Sequence, residues 1–174
     1  MLLVKAPFRP KIKRVTQTEA IPAAGAYAAG DVISMATSTG VAWEWNGVAR
    51  ANGASGYIVQ AQVICETTAL THRASLFLFN AAPTCETDDN KANTALLHAD
   101  IASYVGKIDF PALGDVGTGD SEALATPSTV GNLPMVFVTA SGADDLYGIL
   151  TTIDTIDGQA ATEEYTVTLW VEQY

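Results

Sequence analysis

The fold class this sequence predicts is all-β: an antiparallel β-sandwich, wired as a jelly roll, with an extended N-terminal arm. Three observations predict it. Long stretches alternate in polarity with period two, Gly56–Asn80 and Tyr165–Glu172 above all. That period places successive side chains on opposite faces of a strand. The other apolar runs are short and bounded by Gly, Pro, Asn and Asp, with no heptad pattern or internal repeat. Two long connections, 80–95 and 111–134, separate these runs. Long non-local connections favour a jelly roll over a meander, and the Cys…Trp…Cys spacing that marks an immunoglobulin domain does not occur.

Taken in chain order, residues 1–25 carry Pro7, Pro10 and Pro22. Proline density opposes helix, so this segment reads as an arm with a short edge strand at Lys11–Thr16. Residues 26–174 read as a single sandwich domain. A turn at Gly30-Asp31 starts the strand Val32–Met35. Val41–Val48 reads as a hairpin about Asn46-Gly47, two residues that readily take positive φ. Val41, Trp43 and Trp45 share one of its faces.

Gly56–Asn80 reads as the longest hairpin. On its first arm Tyr57, Val59, Ala61, Val63 and Cys65 share a face; on its second, Leu76–Phe79 is apolar on both faces and therefore central. The acids of 80–95 read as solvated turn residues. A short helical turn is expected at Leu96–Ser103 and a strand at Tyr104–Phe110. The stretch 111–134 reads as an exposed loop that meets a neighbouring subunit. Leu133–Thr139, Leu146–Thr151 and Tyr165–Glu172 complete the strands. In the last, Tyr165, Val167, Leu169 and Val171 face inward, and Trp170 lies on the polar face.

Charge is segregated. The chain of 174 residues has nine basic and nineteen acidic residues, a net −10. Five of the nine, Lys5, Arg9, Lys11, Lys13 and Arg14, lie in the first fourteen positions, and no acid precedes Glu19. The remainder holds four basic residues against nineteen acidic ones, a body that repels nucleic acid and anionic membranes. Neither is expected as a partner. The arm suits an anionic protein surface. Its five basic residues, with Trp43, Trp45 and Trp170, form the expected partner-binding set. The two hairpin tryptophans read as core or subunit contacts before they read as a sugar platform.

Cys65 and Cys85 are too few for a disulfide framework and are expected to be reduced, as in the cytoplasm. Lys5 follows Met1–Val4 at once, so no secretion signal is expected. No run of about 18 apolar residues predicts a membrane span.

Reactive constellations are sparse. His72 and His98 are isolated, and Gly53-Ala-Ser-Gly56 only resembles a nucleophile elbow. Asp88 and Asn90 match the opening of an EF-hand loop, but Asn93 stands at the sixth place and Ala99 at the twelfth. Gly114, Gly117 and Gly119 lack dinucleotide-loop spacing and sit among acids. No catalytic residue, metal or cofactor is expected. A fibre-type or lectin-like glycan module resting on Trp43 and Trp45 is the alternative to a structural role.

Five stretches carry a family resemblance: Tyr27-Ala-Ala-Gly-Asp-Val-Ile-Ser34, Gly53-Ala-Ser-Gly-Tyr-Ile58, Leu76-Phe-Leu-Phe79 with Pro83 beyond, Asp89-Asn-Lys-Ala92 and Tyr104-Val-Gly-Lys-Ile108. Through them most of residues 15–173 resembles small virion proteins of tailed bacteriophages encoded near the major capsid gene. The resemblance implies a β-sandwich decoration or cement protein on the capsid exterior, made in the host cytoplasm. It further implies the major capsid protein as partner and a homo-oligomer, commonly a trimer. It supplies no catalytic motif, so no functional residue is carried over.

Overall fold

The computed structural model describes residues 9–22, 25–117, 119–127, 132–157 and 163–174. Among them are eleven strands: β1 (Lys11–Ala20), β2 (Val32–Ile33), β3 (Trp43–Trp45), β4 (Ser55–Cys65), β5 (Ala74–Phe79), β6 (Tyr104–Asp109), β7 (Gly114–Asp115), β8 (Ser121–Ala125), β9 (Met135–Val138), β10 (Leu146–Thr152) and β11 (Glu164–Gln173). One short 3-10 turn spans His98–Asp100, within the segment expected to be helical. No helix is long and apolar enough to cross a membrane.

The strands form two antiparallel sheets packed face to face, a β-sandwich. One sheet runs β1-β11-β4-β8-β7, with β9 beside the first half of β4 and β8 beside the second. The other runs β2-β10-β5-β6, with β3 also on β10. Between them lies one large core that includes Ile58, Val63, Leu76, Leu78, Ile108, Phe137, Leu150, Tyr165, Val167 and Leu169. All four residues expected to face inward on β11 are fully buried.

The structure corrects several expectations. Gly56–Asn80 is not a hairpin. β4 pairs with β11, β8 and β9, whereas β5 pairs with β10 and β6 in the opposite sheet. The connection 66–73 crosses the sandwich, a span of about 10 Å that eight residues cover easily. The faces of β4 also switch. Trp170 lies opposite Gln60 and Val171 opposite Ile58, so Val59 is an extra residue, a bulge. Gly56 and Ile58 point inward before it, and Ala61, Val63 and Cys65 after it; Tyr57 is thereby turned outward, 39% exposed.

The stretch 111–134 is no free loop: it holds β7 and β8, and Ser121, Ala123 and Ala125 of β8 are buried. In 80–95, Asp89 is buried, accepting from the Ser34 amide at 3.0 Å and the Tyr27 hydroxyl at 2.8 Å. It is a strut of the loop, not a solvated turn residue. The Asn46-Gly47 turn is present, with φ +71° at Gly47, but β3 pairs with β10 and not with a second hairpin arm.

Residues Lys11–Ala20, expected within an extended arm, form a ten-residue strand paired with β11 without a break in register. The edge strand expected at Lys11–Thr16 therefore runs four residues further.

Candidate interaction face

Trp43 and Trp45 do not reach the surface. Both are buried, at 2% and 0% exposed, and their rings stack 6.2 Å apart, 14° from parallel. Each indole N–H is used internally: Trp43 Nε1 donates to the Ile33 carbonyl at 2.9 Å and Trp45 Nε1 to the Val167 carbonyl at 3.1 Å. The second bond ties one sheet to the other. Neither ring can serve as a subunit contact or a sugar platform, because the core already covers both faces and the polar edge. Small Gly148 makes the room: a Cβ there would lie 2.8 Å from both Trp45 Cζ3 and Leu76 Cδ1.

Lys11, Lys13 and Arg14 are dispersed over both sides of β1. Lys5 lies outside the described residues. Arg9 is exposed, and its carbonyl accepts from Arg50 Nη2 at 3.1 Å. Lys13 Nζ donates to the Gly47 carbonyl at 2.6 Å, pinning β1 to the turn after β3. Lys11 is exposed. Arg14 is exposed on the opposite side of the strand, its guanidinium 5.6 Å from the Trp170 ring centroid. That stacking orders two large side chains on an otherwise open surface.

Arg14 and Trp170 belong to the outer face of the six-stranded sheet, where the register aligns a row across four strands. Ile12 lies opposite Glu172, Glu172 opposite Tyr57 and Tyr57 opposite Val136. Ile12 and Val136 are each 57% exposed, Val138 follows on β9 at 53%, and Tyr174 is exposed. The Tyr57 and Tyr174 rings meet edge to face, centroids 5.8 Å apart at 74°. A hydrogen bond with Glu172 holds the Tyr174 hydroxyl above the usual tyrosine range. Two shallow grooves flank Val136. One, of about 390 Å³, is lined by Ser55, Gly56, Tyr57, Val136 and Tyr174. The other, of about 210 Å³, is lined by Asn80, Tyr104, Val105 and residues 136–138 of β9.

Below this corner the face becomes polar. Thr16 and Thr168 hydroxyls lie 3.0 Å apart, those of Thr18 and Thr166 2.8 Å apart, and Gln62 bonds Glu122. The face thus carries apolar and aromatic side chains at one corner, a cation stacked on an indole beside them and polar side chains beyond.

Burial pushes both cysteine thiols up, and Cys85 also donates to Asp100, so neither is poised as a thiolate. Both cysteines are free and buried. Arg73 grips Asp154 through two nitrogens at 2.6 and 2.9 Å, which draws that carboxyl down to about 2. His98 is exposed. His72 is buried, with neither ring nitrogen hydrogen-bonded among the described residues, and burial pulls it down to about 4. Among the described residues, no three His, Cys, Asp or Glu side chains converge as a metal site.

No protein-family model matches this chain, and no curated protein matches its sequence.

Proposed function

We propose that this protein is a structural component of a tailed-bacteriophage virion that binds the major capsid protein on the outside of the head. The outer face of the six-stranded sheet is the observation that carries the reading. It displays Ile12, Tyr57, Val136, Val138 and Tyr174 beside the Arg14–Trp170 stack. Exposed apolar side chains gathered at one place mark a protein contact. Arg14, stacked on Trp170, is the cation that β1 turns to this face, and it suits a carboxylate of the partner surface. The resemblance across residues 15–173 supplies the identity of that partner. A rigid sandwich with a polar-rimmed contact face is what a protein needs to tie coat subunits together without chemistry of its own.

The test is a binding assay between the purified protein and capsids lacking it. Val136→Asp and the double change Tyr57→Ser, Tyr174→Ser alter side chains outside the core cluster, so both variants should still unfold cooperatively as intact sandwiches. Both should lose capsid occupancy. Removing residues 1–8, which spares β1, separates the contribution of Lys5 from that of the sheet face. Full occupancy by Val136→Asp and by the tyrosine double variant would refute the face; binding to a glycan array with no affinity for capsids would replace the structural reading with the lectin-like one.

A further inference from the structure

A sandwich of this kind has four lateral sheet edges, and three of them are short or covered. β7 is two residues long, and β9, which shares that side of β4, is four. β2 is also two residues long, and the loop beyond it supplies the Lys91 carbonyl to Val32 N at 2.8 Å while Asn90 N donates back to Val32 at 2.9 Å. β6 lies against the β9 region: Met135 Sδ occupies the space a Cβ on Gly106 would need, and Asn132 Nδ2 donates to the Lys107 carbonyl at 3.0 Å.

The fourth edge is β1. It is ten residues long, pairs with β11 in unbroken register, and has no proline or bulge. Among the described residues no strand or loop hydrogen-bonds its other side. A long straight edge presents a row of unpaired amides and carbonyls. Lysines on an edge can simply deter pairing, but here the charges are arranged about a centre. Lys11 and Glu19, the only acid on the strand, lie four residues either side of Val15.

We propose that the free edge of β1 pairs antiparallel with β1 of a second copy, about a two-fold axis through Val15, joining two six-stranded sheets into one. In that register Lys11 of each copy faces Glu19 of the other, giving two opposite-charge cross-strand pairs, and Lys13 faces the uncharged Gln17. Paired residues in an antiparallel ladder point to the same side of the sheet, so the two cores lie on the same side of the joined sheet. Lys11 is exposed and makes no hydrogen bond or ion pair among the described residues, whereas Lys13 already donates to Gly47. This selects the Lys11–Glu19 register over the one that would pair Lys13 with Glu19. The assembly is two-fold, in place of the threefold one that the virion resemblance implies. It leaves the outer face available and does not rest on the capsid reading.

The experiment is the mass of the full chain in solution by light scattering and sedimentation, at concentrations up to roughly 100 µM. The wild type is expected at twice its 18.2 kDa. Lys11→Glu alone and Glu19→Lys alone each set like charges opposite one another twice per dimer, and each is expected to weaken association roughly tenfold or more. Mixed in equal amounts, the two single variants again set opposite charges face to face at both cross-strand pairs, and a heterodimer should form. The double variant, Lys11→Glu with Glu19→Lys, should dimerise as the wild type does. Circular dichroism on each variant checks that the sandwich is intact. A wild type that stays monomeric throughout this range, a trimer, or single variants that dimerise unchanged would each overturn the proposal.

Discussion

Lowering the pH from 7.5 to 5 should cost this protein about 2 kcal/mol of stability through one side chain, His72. Its imidazole is 4% exposed, has no hydrogen-bond partner at either nitrogen among the described residues, and packs with its centroid 6.3 Å from that of Tyr165. Burial lowers it from 6.5 to about 4, and the attraction of Asp154 recovers only part of the shift. The folded state therefore keeps His72 neutral where the unfolded chain binds a proton. Stability is unaffected above about pH 6.5, falls as the pH drops toward 4, and changes no further from this group below that, where both states are protonated. The full difference is about 3 kcal/mol, at about 1.4 kcal/mol per unit, and about two thirds of it is reached at pH 5. Asp154, drawn down to about 2 by Arg73, acts in a separate window below about pH 4.

Urea unfolding at pH 7.5, 6.5, 5.5 and 5.0 reads the effect while staying above the sequence pI of 4.4, where the low net charge limits solubility. His72→Phe keeps an aromatic ring in the same apolar surroundings and removes the titration, so its stability should change by less than about 0.5 kcal/mol over that range. A flat wild-type profile, or an equal loss in His72→Phe, would refute the reasoning.

Three further outcomes follow from the core. Trp45→Ala removes a fully buried ring and the bond that crosses between the sheets, and should destabilise by about 3–5 kcal/mol in equilibrium unfolding; a loss below about 1 kcal/mol would mean the ring is not packed as described. Gly148→Ala should cost about 1–3 kcal/mol by overpacking, since its Cβ would press on Trp45 and Leu76, with the same urea midpoint as the readout. Asp89→Ala leaves the Ser34 amide without its acceptor inside the folded loop, and a drop of about 2 kcal/mol is expected, seen also as faster amide exchange at Ser34.

Strand positions were legible in the sequence, but sheet membership was not. Period-two alternation in β11 names its buried face correctly, because both faces of that strand are continuous from Glu164 to Gln173. The same alternation in β4 and β5 says that each is a strand, yet carries no information about which sheet each joins. That is decided by whether 66–73 turns back or crosses. β8 escaped notice for another reason. Its residues, Ser-Glu-Ala-Leu-Ala, favour helix locally, and the pairing with β4 overrides that preference. Small side chains at 121, 123 and 125 let β8 sit against the core without the β-branched signature of a strand.

The exposed apolar corner of the six-stranded sheet was hidden for a reason that one residue states. Counted through an unbroken strand, Tyr57 shares a face with Val63 and Cys65 and belongs in the core. The bulge at Val59 reverses that parity, and Tyr57 emerges beside Tyr174 and Val136. No local feature of Tyr-Ile-Val-Gln-Ala announces a bulge; it falls where β4, paired with β11 along its length, changes partner from β9 to β8 on the other side. The tryptophans carry the opposite lesson. Trp43 and Trp45 have the size and spacing of an exposed platform, and what makes room for the Trp45 ring in the core is Gly148 on β10, a strand about a hundred residues away in the chain. A glycine inside an otherwise apolar strand marks a place where something large comes close. Taken as a pair, Gly148 and the Trp-Glu-Trp triplet identify each other as packing partners, which leaves Trp170, Tyr57 and Tyr174 as the rings on the outer face.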